Sequence, residues 1–123
     1  MPRIYLDIDG VLLTRRLTRP ADSAGQFIDL ITRHFECYWL TTHCKGDSRT
    51  ALNYLRQFFD GVTLEKLQKV RPTSWTTLKT EALDLNSDFY WIEDNPLNAE
   101  IDILRSHKMF DRLIVVNLDR RDE

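Results

Sequence analysis

The sequence has no apolar run that approaches the roughly 20 residues a helix needs to cross a bilayer, which argues against a membrane-spanning helix. It has little cysteine. Cys37 and Cys44 are the two present and form no Cys-x-x-Cys pair, so neither a disulfide framework nor a structural zinc site is expected. His34 and His107 have no companions at metal-ligand spacing, which also speaks against zinc. There is no excess of charge of one sign: 17 basic and 19 acidic residues leave a formal net charge of −2. No global field therefore draws the chain toward nucleic acid or a membrane surface. The start of the chain lacks the apolar segment of a secretory signal, and together with free thiols this gives the expectation of a reduced, cytoplasmic protein.

What remains is enough for one core. With 123 residues, 42% of them apolar, residues 1–123 are expected to form a single domain. Short apolar runs at Ile4-Tyr5-Leu6, Cys37-Tyr38-Trp39-Leu40, Phe89-Tyr90-Trp91-Ile92 and Leu113-Ile114-Val115-Val116 read as strands. Between them, apolar residues recur at helical spacing in three stretches: Phe27, Leu30, Ile31 and His34; Ala51, Leu52, Leu55, Phe58 and Phe59; and Ile101, Ile103 and Leu104. Asp47 or Ser48 is placed to cap the second of these. Val62 to Leu64 reads as a short edge strand. Ser74 is expected to cap a further helix carrying Trp75, Leu78, Ala82 and Leu85 on its apolar stripe. Strands alternating with helices over short connections imply an α/β domain with a parallel sheet covered on both faces.

In such sheets ligands bind beyond the carboxyl ends of the strands, and three of those ends are polar. The first run ends in Asp7-Ile8-Asp9-Gly10, the second in Thr41-Thr42, the third in Glu93-Asp94-Asn95. Gly10 lets the chain turn at once and bring both aspartates toward one opening. Asp7, Asp9, Glu93 and Asp94 together concentrate negative charge that is unfavourable without a cation, and an all-oxygen set suits Mg²⁺. An EF-hand is a poor alternative, because Ile8 is apolar and no acidic residue follows at the twelfth position. Lys79 falls within the apolar stripe of the helix expected from Ser74, where it either snorkels outward or points in to neutralise the carboxylates.

One competing motif lies in Cys44-Lys45-Gly46-Asp47-Ser48-Arg49, which looks like a cysteine-phosphatase loop. It has one residue too few between cysteine and arginine. The aromatic residues Tyr38, Trp39, Phe89, Tyr90 and Trp91 fall in strands and read as packing residues.

The set YLDIDGV, YWLTT, TTLKTEA and YWIEDN resembles, in that order and over nearly the whole chain, the four motifs of the haloacid dehalogenase superfamily. The resemblance implies a three-layer, Rossmann-like domain with a mostly parallel central sheet. It also implies a Mg²⁺-dependent phosphohydrolase that works through an aspartyl phosphate. Asp7 matches the nucleophile, Asp9 the general acid and base, Thr41 the phosphate-binding hydroxyl, Lys79 the stabilising lysine and Asp94 a metal carboxylate. Asp7 and the backbone carbonyl of Asp9 would join Asp94 at the metal, with Glu93 near it. Thr42 replaces Thr41 if the strand ends one residue later. Glu93 departs from relatives that carry Asp or Gly there. The intervals between motifs leave no room for a sizeable cap, so the site is expected to be open. It would then serve a macromolecular or multiply charged phosphorylated substrate, or be roofed by a second copy in a homo-oligomer. Arg15, Arg16 and Arg19 would form a basic lip for further phosphates, or be a solvated loop. His43 either donates to substrate or simply ends the strand. The reading from another class is a catalytically silent phosphate-binding module.

Overall fold

The computed structural model describes residues 1–118. Four strands, β1 (Arg3–Leu6), β2 (Glu36–Trp39), β3 (Phe89–Glu93) and β4 (Leu113–Val115), form one sheet in the order β2-β1-β3-β4. Every pairing is parallel. Four helices accompany them: α1 (Ala24–His34), α2 (Arg49–Leu55), α3 (Gly61–Leu67) and α4 (Asn98–Ser106). The arrangement is an α/β domain compatible with a Rossmann-like fold. Among the described residues no helix is long and apolar enough to cross a membrane.

Side chains alternate across the sheet, and each face has its own core. Ile4, Leu6, Cys37, Trp39 and Ile92 pack with Ile28 and Ile31 of α1, Ala51 and Leu55 of α2, and Leu67 of α3. On the opposite face Tyr5, Phe89 and Trp91 pack with Leu104 of α4 and with Leu83. Burying each such side chain is worth about 1.5–3 kcal/mol, so the two layers are what hold the strand ends in register. Leu30, which shares the apolar period of α1, is exposed instead.

Two expectations need correction. Val62 to Leu64 is not an edge strand but lies in α3. Asp60 caps that helix by accepting the Thr63 N–H at 2.8 Å, while Leu67 turns into the core and Val62 into solvent. The helix expected from Ser74 is also absent. Residues 71–73 instead run beside β2, with Trp39 N–H donating to the Arg71 carbonyl and Arg71 N–H to that of Cys37, both at 2.8 Å. The Glu81 carboxylate then gathers the N–H groups of Thr76, Thr77 and Leu78 at 2.8 to 3.2 Å. Only a 3₁₀ turn, Lys79–Ala82, follows. Four Ser and Thr residues between 73 and 77 are weak helix formers that favour such local alternatives. The cap of α2 differs in detail: Ser48 sits at the N-cap without a side-chain bond, and it is Asp47 that accepts the Arg49 N–H at 2.9 Å.

Candidate functional site

The strand order sends the chain from β1 to one side, through β2, and back across to β3. The reversal of direction lies between β1 and β3, the place where such sheets bind ligands. A cleft of about 370 Å³ opens there, lined by Asp7, Asp9, Arg15, Thr42, Trp75, Thr77, Lys79, Glu93, Asn95, Leu97 and Glu100.

Register brings the first two carboxylates together. Leu6 pairs with Ile92, so Asp7 and Glu93 stand side by side one residue further on. Their parity places them on the same face as Tyr5, Phe89 and Trp91. The 3₁₀ turn covers that face, and its first residue, Lys79, points inward with its side chain 14% exposed. Lys79 Nζ lies 2.6 Å from Glu93 Oε1 and 3.3 Å from Asp7 Oδ2. Asp7 Oδ1 accepts the Ile8 N–H at 2.8 Å, and Glu93 Oε2 accepts those of Asp94 and Asn95 at 3.1 and 3.2 Å.

Burial alone would lower the lysine's pKa, but Asp7 and Glu93 outweigh it and hold the ammonium above its ordinary range. Burial, reinforced by the neighbouring Asp7 charge, pushes Glu93 up. Asp94 is held below its usual range: burial would raise it, and the Arg15 guanidinium overrides that. Arg15 Nε donates to Asp94 Oδ2 at 2.5 Å and its Nη2 to Oδ1 at 3.1 Å. Gly10, at φ +84°, lets the chain pass directly against Asp94; a Cβ there would stand 2.7 Å from Asp94 Cβ.

Asp9 also lines the cleft, and it meets partners from the chain after β2. Tyr54 Oη donates to its Oδ1 at 3.0 Å, and His43 Nε2 lies 2.8 Å from its Oδ2. Burial and the Asp9 carboxylate raise the Tyr54 phenol, which keeps it an O–H donor.

The sequence-derived residues thus divide. Asp7, Asp9, Thr42, Lys79, Glu93 and Arg15 line the cleft, and Asp94 meets it through Arg15. Thr41 is 0% exposed; its hydroxyl accepts the His43 N–H at 3.3 Å, and it is Thr42 that reaches the opening. Arg16 and Arg19 do not line the cleft, so the expected lip of three arginines is reduced to Arg15. Cys44 is buried in the core and lines no wall of the cleft. Cys37 is likewise buried, which pushes its thiol up to about 11.

No protein-family model, curated protein or solved structure matches the chain. The likeness to haloacid dehalogenases accordingly rests on the residues themselves.

Three residues at this site escape a motif-based reading. Tyr54 lies within the apolar stripe of α2 and carries a polar tip, a weak signal. Glu100 sits three residues after Leu97 at the start of α4, the place of a capping acid; Oε1 accepts the Leu97 N–H and Oε2 that of Lys79, at 2.8 and 2.7 Å. Trp75 forms part of the wall, with Lys45 Nζ 4.4 Å from its ring centroid, and no periodicity marks it for that role.

The donor set can be tested against a cation. Asp7, Glu93 and Asp94 present carboxylate oxygens within 4.8 Å of one another; Glu93 Oε2 already accepts two N–H groups, while the oxygens of Asp7 and Asp94 and Glu93 Oε1 each keep a second acceptor direction beyond one protein partner. Three carboxylates face two side-chain cations, Lys79 and Arg15, with Asp9 beside them. An oxygen-only, net-negative set of this kind fits a hard divalent cation such as Mg²⁺.

Proposed function

We propose that this chain is a Mg²⁺-dependent phosphohydrolase of the haloacid dehalogenase type, acting on phosphate monoesters through an aspartyl phosphate on Asp7. The observation that carries the reading is Lys79 Nζ held between Asp7 and Glu93 in a cleft that Asp9 also lines. A lysine buried between two carboxylates stays charged and is aimed where a phosphoryl oxygen would lie.

Asp7 attacks phosphorus in line, and the bond to the leaving oxygen breaks with its electron pair going to that oxygen. Asp9, protonated for this step, gives its proton to the same oxygen. Asp9, now a carboxylate, then takes a proton from water as the water attacks the aspartyl phosphate. The bond between Asp7 and phosphorus breaks, releasing inorganic phosphate and restoring Asp7. Lys79 and the Thr42 hydroxyl hold the phosphoryl oxygens, and Asp7, Asp94, Glu93 and the Asp9 carbonyl would hold the Mg²⁺. When bound, the ion supplies charge neutralisation at the transferring group. Positioning and charge stabilisation are most of phosphoryl-transfer catalysis.

The test is phosphate release from an aryl phosphate with Mg²⁺, comparing the parent with Asp7→Asn. A loss of at least about 100-fold is expected for removal of the nucleophile. Equal rates would refute the assignment, and no turnover by the parent on any monoester would favour the silent binding module.

A further inference from the structure

The contacts around Asp9 extend beyond the residues that the reaction itself requires. Asp9 lies on the loop after β1, whereas its two partners come from the chain after β2: His43 from the loop and Tyr54 from α2. Their rings stack on each other with centroids 4.1 Å apart and planes 11° apart. Phe58 meets Tyr54 edge-on at 5.5 Å and 70°. The His43 backbone is fixed through its N–H to Thr41 Oγ1. Ala51 and Leu55, both fully buried, anchor the helix that carries Tyr54. The pair is therefore held from both ends before it meets the carboxylate.

The carboxyl torsion of an aspartate is a soft, broad rotor. One bond on each oxygen, at 3.0 and 2.8 Å, removes that freedom. Each carboxylate oxygen has two acceptor directions; with one taken on each, one is left on each oxygen of a residue that lines the cleft.

We propose, on the basis of the phosphohydrolase reading above, that His43 and Tyr54 are positioning residues for Asp9. They orient its carboxyl group so that its proton is presented to the leaving oxygen, and so set how poor a leaving group the site can expel. In the step concerned, the Asp9 O–H bond breaks and its proton passes to the leaving oxygen as that oxygen takes the electron pair of the breaking P–O bond. The two contacts fix which way the carboxyl group is turned while this happens.

Leaving-group dependence reads this directly, because a poor leaving oxygen needs the proton and a good one does not. kcat/KM is measured with Mg²⁺ for 4-nitrophenyl, phenyl and alkyl phosphates in the parent, Tyr54→Phe, His43→Ala, His43→Gln and Asp9→Asn. Tyr54→Phe keeps the ring and its stacking and removes one oxygen. It should lose about tenfold or more on phenyl and alkyl phosphates and less than about threefold on the nitrophenyl ester, a fraction of the 10²–10⁴ a general acid supplies. His43→Ala should show the same pattern, and His43→Gln, which retains a nitrogen donor at similar reach, should recover most of it. Loss that is equal for all leaving groups, or a melting-temperature change with an unaltered leaving-group slope, would assign the stacked pair to folding alone and overturn the proposal. If His43→Ala fails to fold, Tyr54→Phe decides. Asp9→Asn separates the two levels of the argument: a slope unchanged there means the acid–base reading itself has failed, whereas a steepened slope there and none in Tyr54→Phe removes only the clamp.

Discussion

The buried carboxylate of Glu100, at the start of α4, accepts the backbone N–H of Lys79 at 2.7 Å. A residue with no part in the proposed chemistry thereby fixes where the cleft's lysine begins. Its other oxygen accepts the Leu97 N–H at 2.8 Å, so one side chain joins the first turn of α4 to the 3₁₀ turn. Glu100→Ala leaves both donors without an acceptor. It should destabilise the fold by about 1 kcal/mol or more, because two part-buried N–H groups lose a charged acceptor, and lower kcat beyond what the unfolded fraction explains. Glu100→Gln keeps one acceptor and should lose less. Denaturant melts alongside initial rates check both, and an Ala variant as stable as the parent would remove this role.

Glu81 makes a separate prediction at acid pH. Its carboxyl is held down at about 2 by the N–H groups of Leu78 and Thr76, then by the Thr76 hydroxyl and the Thr77 N–H. A depressed folded pKa means that the stabilisation is fully present above the ordinary value of 4.5 and lost as pH falls from there through about 2. Glu81→Gln should therefore melt below the parent near neutrality, and the gap should close across that acid window. Melting temperatures that stay parallel down to the lowest pH would show that the carboxylate contributes no pH-linked stability.

Glu81 also shows why the fold and the site were unequally legible in the sequence. The four strands follow from runs of β-branched and aromatic residues, and their polar ends follow from where those runs stop. The turn around Lys79 does not, because the Glu81 side chain, acting across several residues, replaces a helical start that periodicity suggests. For Val62 to Leu64, two β-branched residues outweigh the Asp60 cap in a short window. The choice between Thr41 and Thr42 depends on a one-residue question of strand end, which side-chain alternation converts into opposite burial. Tyr54 and Arg15 are long-range partners of Asp9 and Asp94, separated by 45 and 79 positions, and no local pattern encodes such a meeting.

Gly10 is a backbone requirement with a consequence for the proposed cation site. Gly10→Ala places a Cβ against Asp94 and forces a side chain onto a φ of +84°, a strain of about 1–3 kcal/mol. The relief open to the protein is to displace Asp94. Mg²⁺ affinity by calorimetry should fall together with stability, and a variant that loses stability but binds Mg²⁺ as the parent does would show that Asp94 is not a ligand.

Arg15 should oppose the cation and assist the substrate. Its guanidinium occupies both oxygens of Asp94 while its side chain remains 51% exposed, so the pair is worth at most about 1 kcal/mol after solvent screening. A divalent ion drawn to Asp7, Glu93 and Asp94 must share Asp94 with it. Arg15→Ala should then bind Mg²⁺ up to about fivefold more tightly, the affinity equivalent of that energy. It should also lose kcat/KM on multiply phosphorylated substrates, because a cation lining the cleft is gone. Replacing Arg16 and Arg19 with serine, outside the cleft, should leave aryl phosphate turnover and Mg²⁺ affinity as they are. Any preference for a multiply phosphorylated substrate over an aryl phosphate should likewise survive that change and be lost in Arg15→Ala, and it should fade as salt shortens the Debye length toward about 8 Å. Calorimetry and a substrate panel at two salt concentrations separate these effects; Mg²⁺ affinity unchanged in Arg15→Ala would mean that the arginine yields Asp94 to the ion at no cost.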